Sequence, residues 1–464
     1  THRQAGEGAL TAPTGEAPDA PHRHDVPPPA PAARALRIVL ASYACDPSRG
    51  TEPGMGWAWA EALARRGHTV ELLTRPHGGN TEHIGRRIEA LGAVGRRIRT
   101  HVVPAPPRPW WVRVLPGFLR GQALEFVHYD GWQRRALAHA RANGLDGADL
   151  VHHVSYGSLV GGSALRRLGP PLVFGPVGGG QTAPRSHRRW LGPAYFQEMV
   201  RELVWVRGMS LRPACRATLR EAALVLATNR DTARRARRLG RADPRLVLSD
   251  GVPDELLREP RREPAERRRR PPTVLWVGRL TAIKAPELAL RAFGHLSAGV
   301  PGARLVVLGD GPLRGDLERL VERLGIAGSV CFRGRLPWTE TLRAYDDADV
   351  MLFTSLRDSF GVQNLEAWAR GLPVVHLDHQ GVGDFSAPGC AAPVPLGDPA
   401  DLPRRLAHAL AGVLTDEEAL RRTAEAGPRW ARQHTWTSKA ELAERLYEAV
   451  LDGAPLLDSE GKPS

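Results

Sequence analysis

Twice along this chain, short apolar runs alternate with helical stretches, and a Pro-, Glu- and Arg-rich stretch at 251–270 separates the two series. This order constrains the fold more than any other feature. A short apolar run between turn signals reads as a buried strand. Two such strands joined through a helix make a βαβ unit, the building block of a parallel sheet. The first series opens at 36–43 with Leu36, Ile38, Val39 and Leu40, and runs into a loop at 45–54 holding Pro47, Gly50 and Pro53. Helix-spaced Trp57, Ala60, Leu63 and Ala64 follow, then a strand-like run at 70–74. Further runs lie at 98–103, 150–154, 172–174 and 223–227. The second series gives strands at 273–277, 304–308, 330–332, 350–353 and 373–377, with helices at 285–296, 313–324 and 362–370. The expectation is an α/β protein of two Rossmann-like, doubly wound domains facing across a cleft. Ligands of such sheets bind beyond the carboxyl ends of the strands.

The boundaries read as a disordered tail at 1–34, an N-terminal domain at 35–250, a linker at 251–270 and a C-terminal domain at 271–430. A C-terminal helix within 431–452 is expected to pack back toward the N-terminal domain, ahead of a disordered tail at 453–464. The first 34 residues lack the basic-then-apolar order of a secretory signal. No run approaches the 18 apolar residues a spanning helix needs. Cys45, Cys215, Cys331 and Cys390 are scattered, without a CxxC pair or zinc spacing. They read as reduced, buried thiols of a cytoplasmic protein with no structural metal.

The formal net charge is +14, yet it rests on 61 arginines and only three lysines, Lys284, Lys439 and Lys462. Most of this charge reads as compositional bias. The arginine run at 267–270 reads as a solvated linker, since no aromatic residues interleave it and no nucleic acid partner is implied. The scarcity of lysine makes Lys284 stand out.

Asp358 and Glu366 are eight residues apart, the first in a loop and the second inside a helix that begins near Gly361. The free N–H groups and positive end of such a helix suit a diphosphate. A merely capped helix is the alternative. Arg279 and Lys284 are five apart in the loop after the strand at 273–277, where two cations suit a leaving diphosphate. Gly309-Asp310-Gly311-Pro312 reads as a tight turn that keeps side chains out of the cleft.

These three elements, in this order, resemble the second domain of retaining glycosyltransferases of the GT-B fold, family four (group-one type). The match is close over 273–377, including Phe360-Gly361, Glu366-Ala367 and Gly371-Leu372-Pro373-Val374-Val375, and holds in outline elsewhere. The resemblance implies that the Gly278-Arg279…Lys284 element holds the donor diphosphate and that Asp358 contacts the donor sugar. It implies that Glu366 binds the ribose hydroxyls and that the backbone at Arg335-Leu336 faces the base. The N–H groups of Phe360, Gly361 and Val362 would meet sugar and phosphate, without a metal. Two positions depart from the family pattern: Asp358 stands in place of Glu, and Ala285 in place of Gly.

The first domain carries fewer signals. Gly54 and Gly56 suit a helix start near the donor anion, in place of the family's Gly-Gly turn. His152 and His153 end a strand where the family places a histidine near the reacting carbon. Adjacent strand residues point to opposite faces, so at most one of them is expected to face the cleft, and His153 is preferred because it lies nearer the strand's end. Gly178, Gly179 and Gly180 fit a loop that lies against a ligand, on the acceptor side, or that moves on closure. Trp110, Trp111, Trp132, Trp190 and Trp205, with nearby arginines, read as an acceptor pocket, a peripheral patch on the inner face of an anionic membrane, or ordinary core.

The resemblance therefore implies a metal-independent, retaining transfer of a hexosyl unit from a nucleoside diphosphate sugar, UDP or GDP being the expected carrier. The acceptor would be a small-molecule, saccharide or lipid-linked hydroxyl, and no other cofactor is implied. A dinucleotide dehydrogenase would need a G-x-G-x-x-G loop after the first strand, which the opening loop does not match. A non-catalytic nucleotide-sugar binder of the same fold is the alternative.

Overall fold

A computed structural model of the chain describes residues 34–107, 117–241, 243–257 and 270–454. Residues 1–33 and 455–464 of the tails expected at 1–34 and 453–464, residues 267–269 of the arginine run at 267–270, and Trp110 and Trp111 lie outside the described residues.

The first half contains β1 (Arg37–Ser42), α1 (Thr51–Arg65), β2 (Thr69–Thr74), α2 (Asn80–Ala90), β3 (Ile98–Val102), α3 (Gly117–Ala142) and β4 (Leu150–Ser155). It continues with β5 (Leu172–Val177), α4 (Ala194–Arg201), α5 (Pro213–Glu221), β6 (Leu224–Ala227), α6 (Arg230–Arg238) and β7 (Arg245–Leu246). The second half contains β8 (Thr273–Val277), α7 (Pro286–Gly299), β9 (Arg304–Leu308), α8 (Arg314–Arg323), β10 (Val330–Gly334), α9 (Trp338–Asp347) and β11 (Val350–Phe353). Then come α10 (Val362–Ala369), β12 (Val374–Leu377), α11 (Gln380–Asp384), β13 (Ala391–Val394), α12 (Leu402–Thr415), α13 (Glu417–Arg432) and α14 (Trp436–Asp452).

The strands form two sheets, β3-β2-β1-β4-β5-β6-β7 and β10-β9-β8-β11-β12-β13. Every ladder is parallel. In each sheet the order reverses beside the first strand, so the switch points lie between β1 and β4 and between β8 and β11. The period of two in the apolar runs sends residues to both faces. Ile38 and Leu40 pack into one core, Val39 and Ala41 into the other. In β8, Val274 and Trp276 face one core and Leu275 the other.

The last helix belongs spatially to the first sheet. Ala440, Ala443 and Tyr447 of α14 share a core with Trp59 and Leu63 of α1. The chain re-enters the first half through a parallel bridge between Val252 and Thr435. Arg66 donates to Glu444 at 2.6 Å, and Tyr447 Oη lies 2.6 Å from His152 Nδ1.

One reading changes. The loop expected over 45–54 is already helical from Thr51, because Pro53 falls in the first turn, where a missing N–H and a fixed φ are tolerated.

Candidate functional site

The second sheet supplies one wall of the cleft. Gly309 has φ +119°, and a Cβ there would lie 1.9 Å from the Gly278 carbonyl oxygen; one at Gly311 would lie 2.6 Å from that of Leu280. The Gly-Asp-Gly turn is therefore glycine-rich because it nests on the 278–280 loop. Its own Asp310 Oδ1 accepts from Gly311 N at 2.7 Å. Arg279, at the tip of the loop, is exposed and makes no ion pair among the described residues. Lys284 closes a single turn, Ala282–Lys284, and Ala285 beyond it has φ +45°. That left-handed conformation is the physical reason a glycine suits the position.

The Lys284 ammonium forms an ion pair with Asp358 and lies 5.9 Å from the centre of the Phe353 ring. Asp358 is held in turn. Its N–H donates to Gln380 Oε1 at 2.8 Å, and its Oδ1 accepts from Ser359 N at 3.0 Å. Gly361 caps α10 with φ +91°, and a Cβ there would meet the Phe353 ring at 2.8 Å. Phe360 is buried in the core and anchors the loop. Glu366, one turn into α10, accepts from the Tyr345 hydroxyl at 2.8 Å. Burial pushes its carboxyl above the ordinary range, against hydrogen bonds from Tyr345 and Trp338 that pull it down.

A cavity of about 730 Å³ lies between the halves, lined by Gly54, Leu336, Trp338, Val362 and Glu366, and by Asp250 from the connecting segment. That size and its convergent polar groups suit a small-molecule ligand. Of the expected donor residues, Gly54, Leu336, Val362 and Glu366 meet here, whereas Arg279, Lys284, Asp358 and the exposed Arg335 are not part of its lining. Asp250 and Trp338 were not foreseen. Asp250 accepts from Ser249 Oγ at 3.0 Å, and burial raises its pKa. Its signal in the sequence was slight, a Ser-Asp-Gly turn at the boundary between the N-terminal domain and the linker.

Gly54 and Gly56 lie inside α1 rather than in a loop before it. A Cβ at Gly54 would lie 2.1 Å from the Arg49 carbonyl oxygen, in the loop that leads into α1, and one at Gly56 would lie 2.1 Å from Ser42 Oγ, at the end of β1, so the tight loop demands the first glycine and the packing of α1 on β1 the second. His153, the histidine preferred for the cleft, does not face it in this geometry, and neither does His152. Both are fully buried, because β4 is a central strand covered on both faces. They do point oppositely. His152 Nε2 lies 2.7 Å from the Gly175 carbonyl oxygen, and its ring contacts Trp59 and Tyr447. His153 packs against Phe174 and lies 3.3 Å from the Tyr129 hydroxyl. Burial lowers their pKa values to about 4 and about 3, so both are neutral at pH 7.

The triple glycine is a point of interdomain contact. A Cβ on Gly178 would lie 2.6 Å from Ser359 Oγ, one on Gly179 2.8 Å from Ser158 Oγ, and one on Gly180 2.6 Å from Thr232 Cα. Next to it, Gln181 Nε2 donates to Ser359 Oγ at 3.0 Å and Gln380 Nε2 donates to the Thr182 carbonyl at 2.8 Å. The loop thus closes on the segment that carries Asp358. Trp132 and Trp190 are core residues, and Trp205 packs on Phe126 at 5.8 Å. Cys45, Cys215 and Cys390 are buried, but Cys331, expected to be buried, is exposed on β10, an edge strand. No helix of the described residues is long and apolar enough to cross a membrane.

Comparison with known proteins agrees with this arrangement. The family "Glycosyl transferases group 1" matches residues 258–430, and "Glycosyl transferase 4-like domain" matches residues 50–251. The chain is 32% identical over 193 residues to a D-inositol 3-phosphate glycosyltransferase of Corynebacterium urealyticum, covering 40% of this chain and 44% of that protein. It spans less than half the length of the first such relatives. A protein of the same name from Mycobacterium tuberculosis (strain F11) is 28% identical over 366 residues, 74% of this chain and 67% of its own length. Among solved structures, sucrose-phosphate synthase from Thermosynechococcus elongatus superposes with a TM-score of 0.63 at 19% identity, covering 90% of this chain and all of that one. Anabaena Alr3699/HepE in complex with UDP gives 0.59 at 16% identity, covering 89% of this chain and all of that one. The chain belongs to the group 1 glycosyltransferases and has their two-domain GT-B fold.

Proposed function

We propose that the protein transfers a hexosyl unit from a nucleoside diphosphate sugar to an acceptor hydroxyl with retention of configuration and without a metal ion. The observation that carries this reading is the juxtaposition of Lys284, Asp358 and the N-terminus of α10 beside a cavity that holds Glu366. The nucleoside would lie in the cavity, with its ribose hydroxyls on Glu366 and its base against Leu336. The diphosphate would then reach Lys284 and the free Arg279. An ammonium, a guanidinium and a helix N-terminus supply the positive charge that a departing diphosphate needs. When phosphate meets Lys284, Asp358 is released toward the sugar. The acceptor enters from the side of the glycine loop, and the leaving phosphate takes its proton on the face it vacates. UDP is the favoured carrier, since the superposed Anabaena protein holds UDP. The names of the relatives favour a polyol or sugar-like acceptor.

Calorimetric titration with UDP, GDP and TDP in the presence of a chelator tests this reading. Micromolar binding of one nucleotide, lost in Lys284→Ala, is expected, together with nucleotide release from its sugar ester once an acceptor is supplied. Binding without turnover on any acceptor would favour a nucleotide-sugar binder, and no binding would remove the donor-site assignment.

A further inference from the structure

Five of the seven exposed large apolar side chains of the described residues lie on one short segment: Phe196, Met199, Leu203, Val204 and Leu211. The segment is α4 continued by a wider helical turn, Glu202–Gly208, and a tighter one, Met209–Leu211. Phe196, Met199, Leu203 and Val204 recur at helical spacing and face outward, with Phe196 59% and Leu203 64% exposed. Glu198, Glu202 and Val206 recur at the same spacing and are buried. The helix is thus amphipathic in reverse, with its carboxylates inward and its apolar stripe in water.

Arginines outnumber carboxylates around the stripe. Arg185, Arg188, Arg189 and Arg207 are exposed, while Glu198 and Glu202 are already paired, with Arg201 and Arg357 and with Arg185 and Arg207 respectively. Beside the stripe opens a second cavity of about 710 Å³, lined by Arg207, Arg234, Arg235, Arg238 and Leu211, with Glu202 and Asp231 as its carboxylates. Asp231 is paired with Arg234, so the cavity is left with a surplus of guanidinium groups. Self-pairing of so positive a face is opposed by like charge.

We propose that this face docks the protein on a bilayer of anionic lipid, the apolar stripe entering the headgroup boundary and the arginines meeting lipid phosphates. The face is tied to the candidate site. Glu198 reaches across the domain boundary to Arg357 at 3.0 Å, and Arg357 precedes Asp358 in the loop that pairs with Lys284. Arg201 also donates to the Gln181 carbonyl at 3.0 Å, next to the glycine loop. Docking at this face therefore bears directly on the segments that close the cleft. The proposal is independent of the donor reading above.

Co-sedimentation of the full chain with phosphatidylcholine vesicles, and with vesicles containing phosphatidylglycerol, tests it. Binding is expected only to the anionic vesicles and is expected to fall as salt rises. Phe196→Ser with Leu203→Ser is expected to weaken it at least tenfold, with the UDP titration unchanged. Both side chains are exposed, so the fold tolerates their loss, and circular dichroism confirms this. Absence of binding to either vesicle overturns the proposal. So does a dimer in sedimentation equilibrium that the same double variant dissociates.

Discussion

Lys284 and Asp358, 74 residues apart in sequence, form an ion pair where two adjacent parallel strands, β8 and β11, present their carboxyl ends. The pair holds a cation in place near the start of α10. Lys284→Ala removes that cation. The expected loss in kcat/KM is about 10²- to 10³-fold, roughly 2.7 to 4 kcal/mol, the usual size for one charge-stabilising donor. Asp358→Asn is expected to behave differently, with nucleotide affinity kept or improved because Lys284 is freed, and with turnover reduced. Calorimetry and steady-state kinetics on the two variants separate these roles; equal loss of affinity in both would contradict them.

Glu366 carries a carboxyl whose pKa burial has raised. Nucleotide affinity is expected to fall as pH drops through a value above the ordinary glutamate range. Tyr345→Phe removes a hydrogen bond to the ionised form, at a cost of about 1 kcal/mol or roughly fivefold in affinity. It is also expected to move that acid limb to higher pH, because the lost hydrogen bond favoured the carboxylate. Glu366→Gln is expected to abolish the limb. UDP titrations from pH 4.5 to 8 check all three.

Gly178 faces Ser359 across the domain boundary. A methyl group there would lie 2.6 Å from Ser359 Oγ, so Gly178→Ala is expected to hold the two loops apart. Turnover should fall about tenfold, with donor binding less affected, since misplacement of the acceptor side is felt in the chemical step. Ser359→Ala removes the clashing oxygen and is expected to restore much of the loss in the double variant. If the double variant is no better than the single one, the glycine has another purpose.

Lys439 is buried in α14 and donates to the Leu248 carbonyl. Burial brings its ammonium down to about 7 from an ordinary value of 10.5. Between those values the unfolded chain holds the proton and the folded chain does not, so unfolding takes up a proton and stability rises with pH. Below about pH 7 both states are charged, and the folded state bears the full burial cost. Wild type is therefore expected to gain on Lys439→Met from pH 7 to 10 in urea unfolding. A constant difference between them would place the titration elsewhere.

Much of the fold was legible because parallel sheets buried on both faces write continuous apolar runs. The strands at 273–277, 304–308 and 350–353 coincide with β8, β9 and β11. What escaped lies at the sheet edges and among the later helices. Ala391–Val394 is a partly exposed edge strand carrying Pro393, and Arg245–Leu246 is only two residues long, so neither writes a pattern. The candidate site divides similarly. Lys284, Asp358, Gly361 and Glu366 were visible as residue types at fixed spacing, in loops that follow strands and, for Glu366, in the helix that one of those loops enters. Asp250, Trp338 and Tyr345 were not, because each belongs to the site only through contacts between distant segments.

By itself, the sequence determined the two βαβ series, the cationic loop at 279–284 and the acidic pair at 358 and 366, since these depend on local pattern and short spacing. Only the tertiary structure decided that Lys284 is paired with Asp358 and that both histidines are buried in the central strand. It alone decided that the triple glycine meets Ser359 and that Tyr447 of α14 meets His152. Those outcomes depend on which distant segments share a surface. No local pattern of residues encodes that, and the packing of two sheets across one cleft settles it.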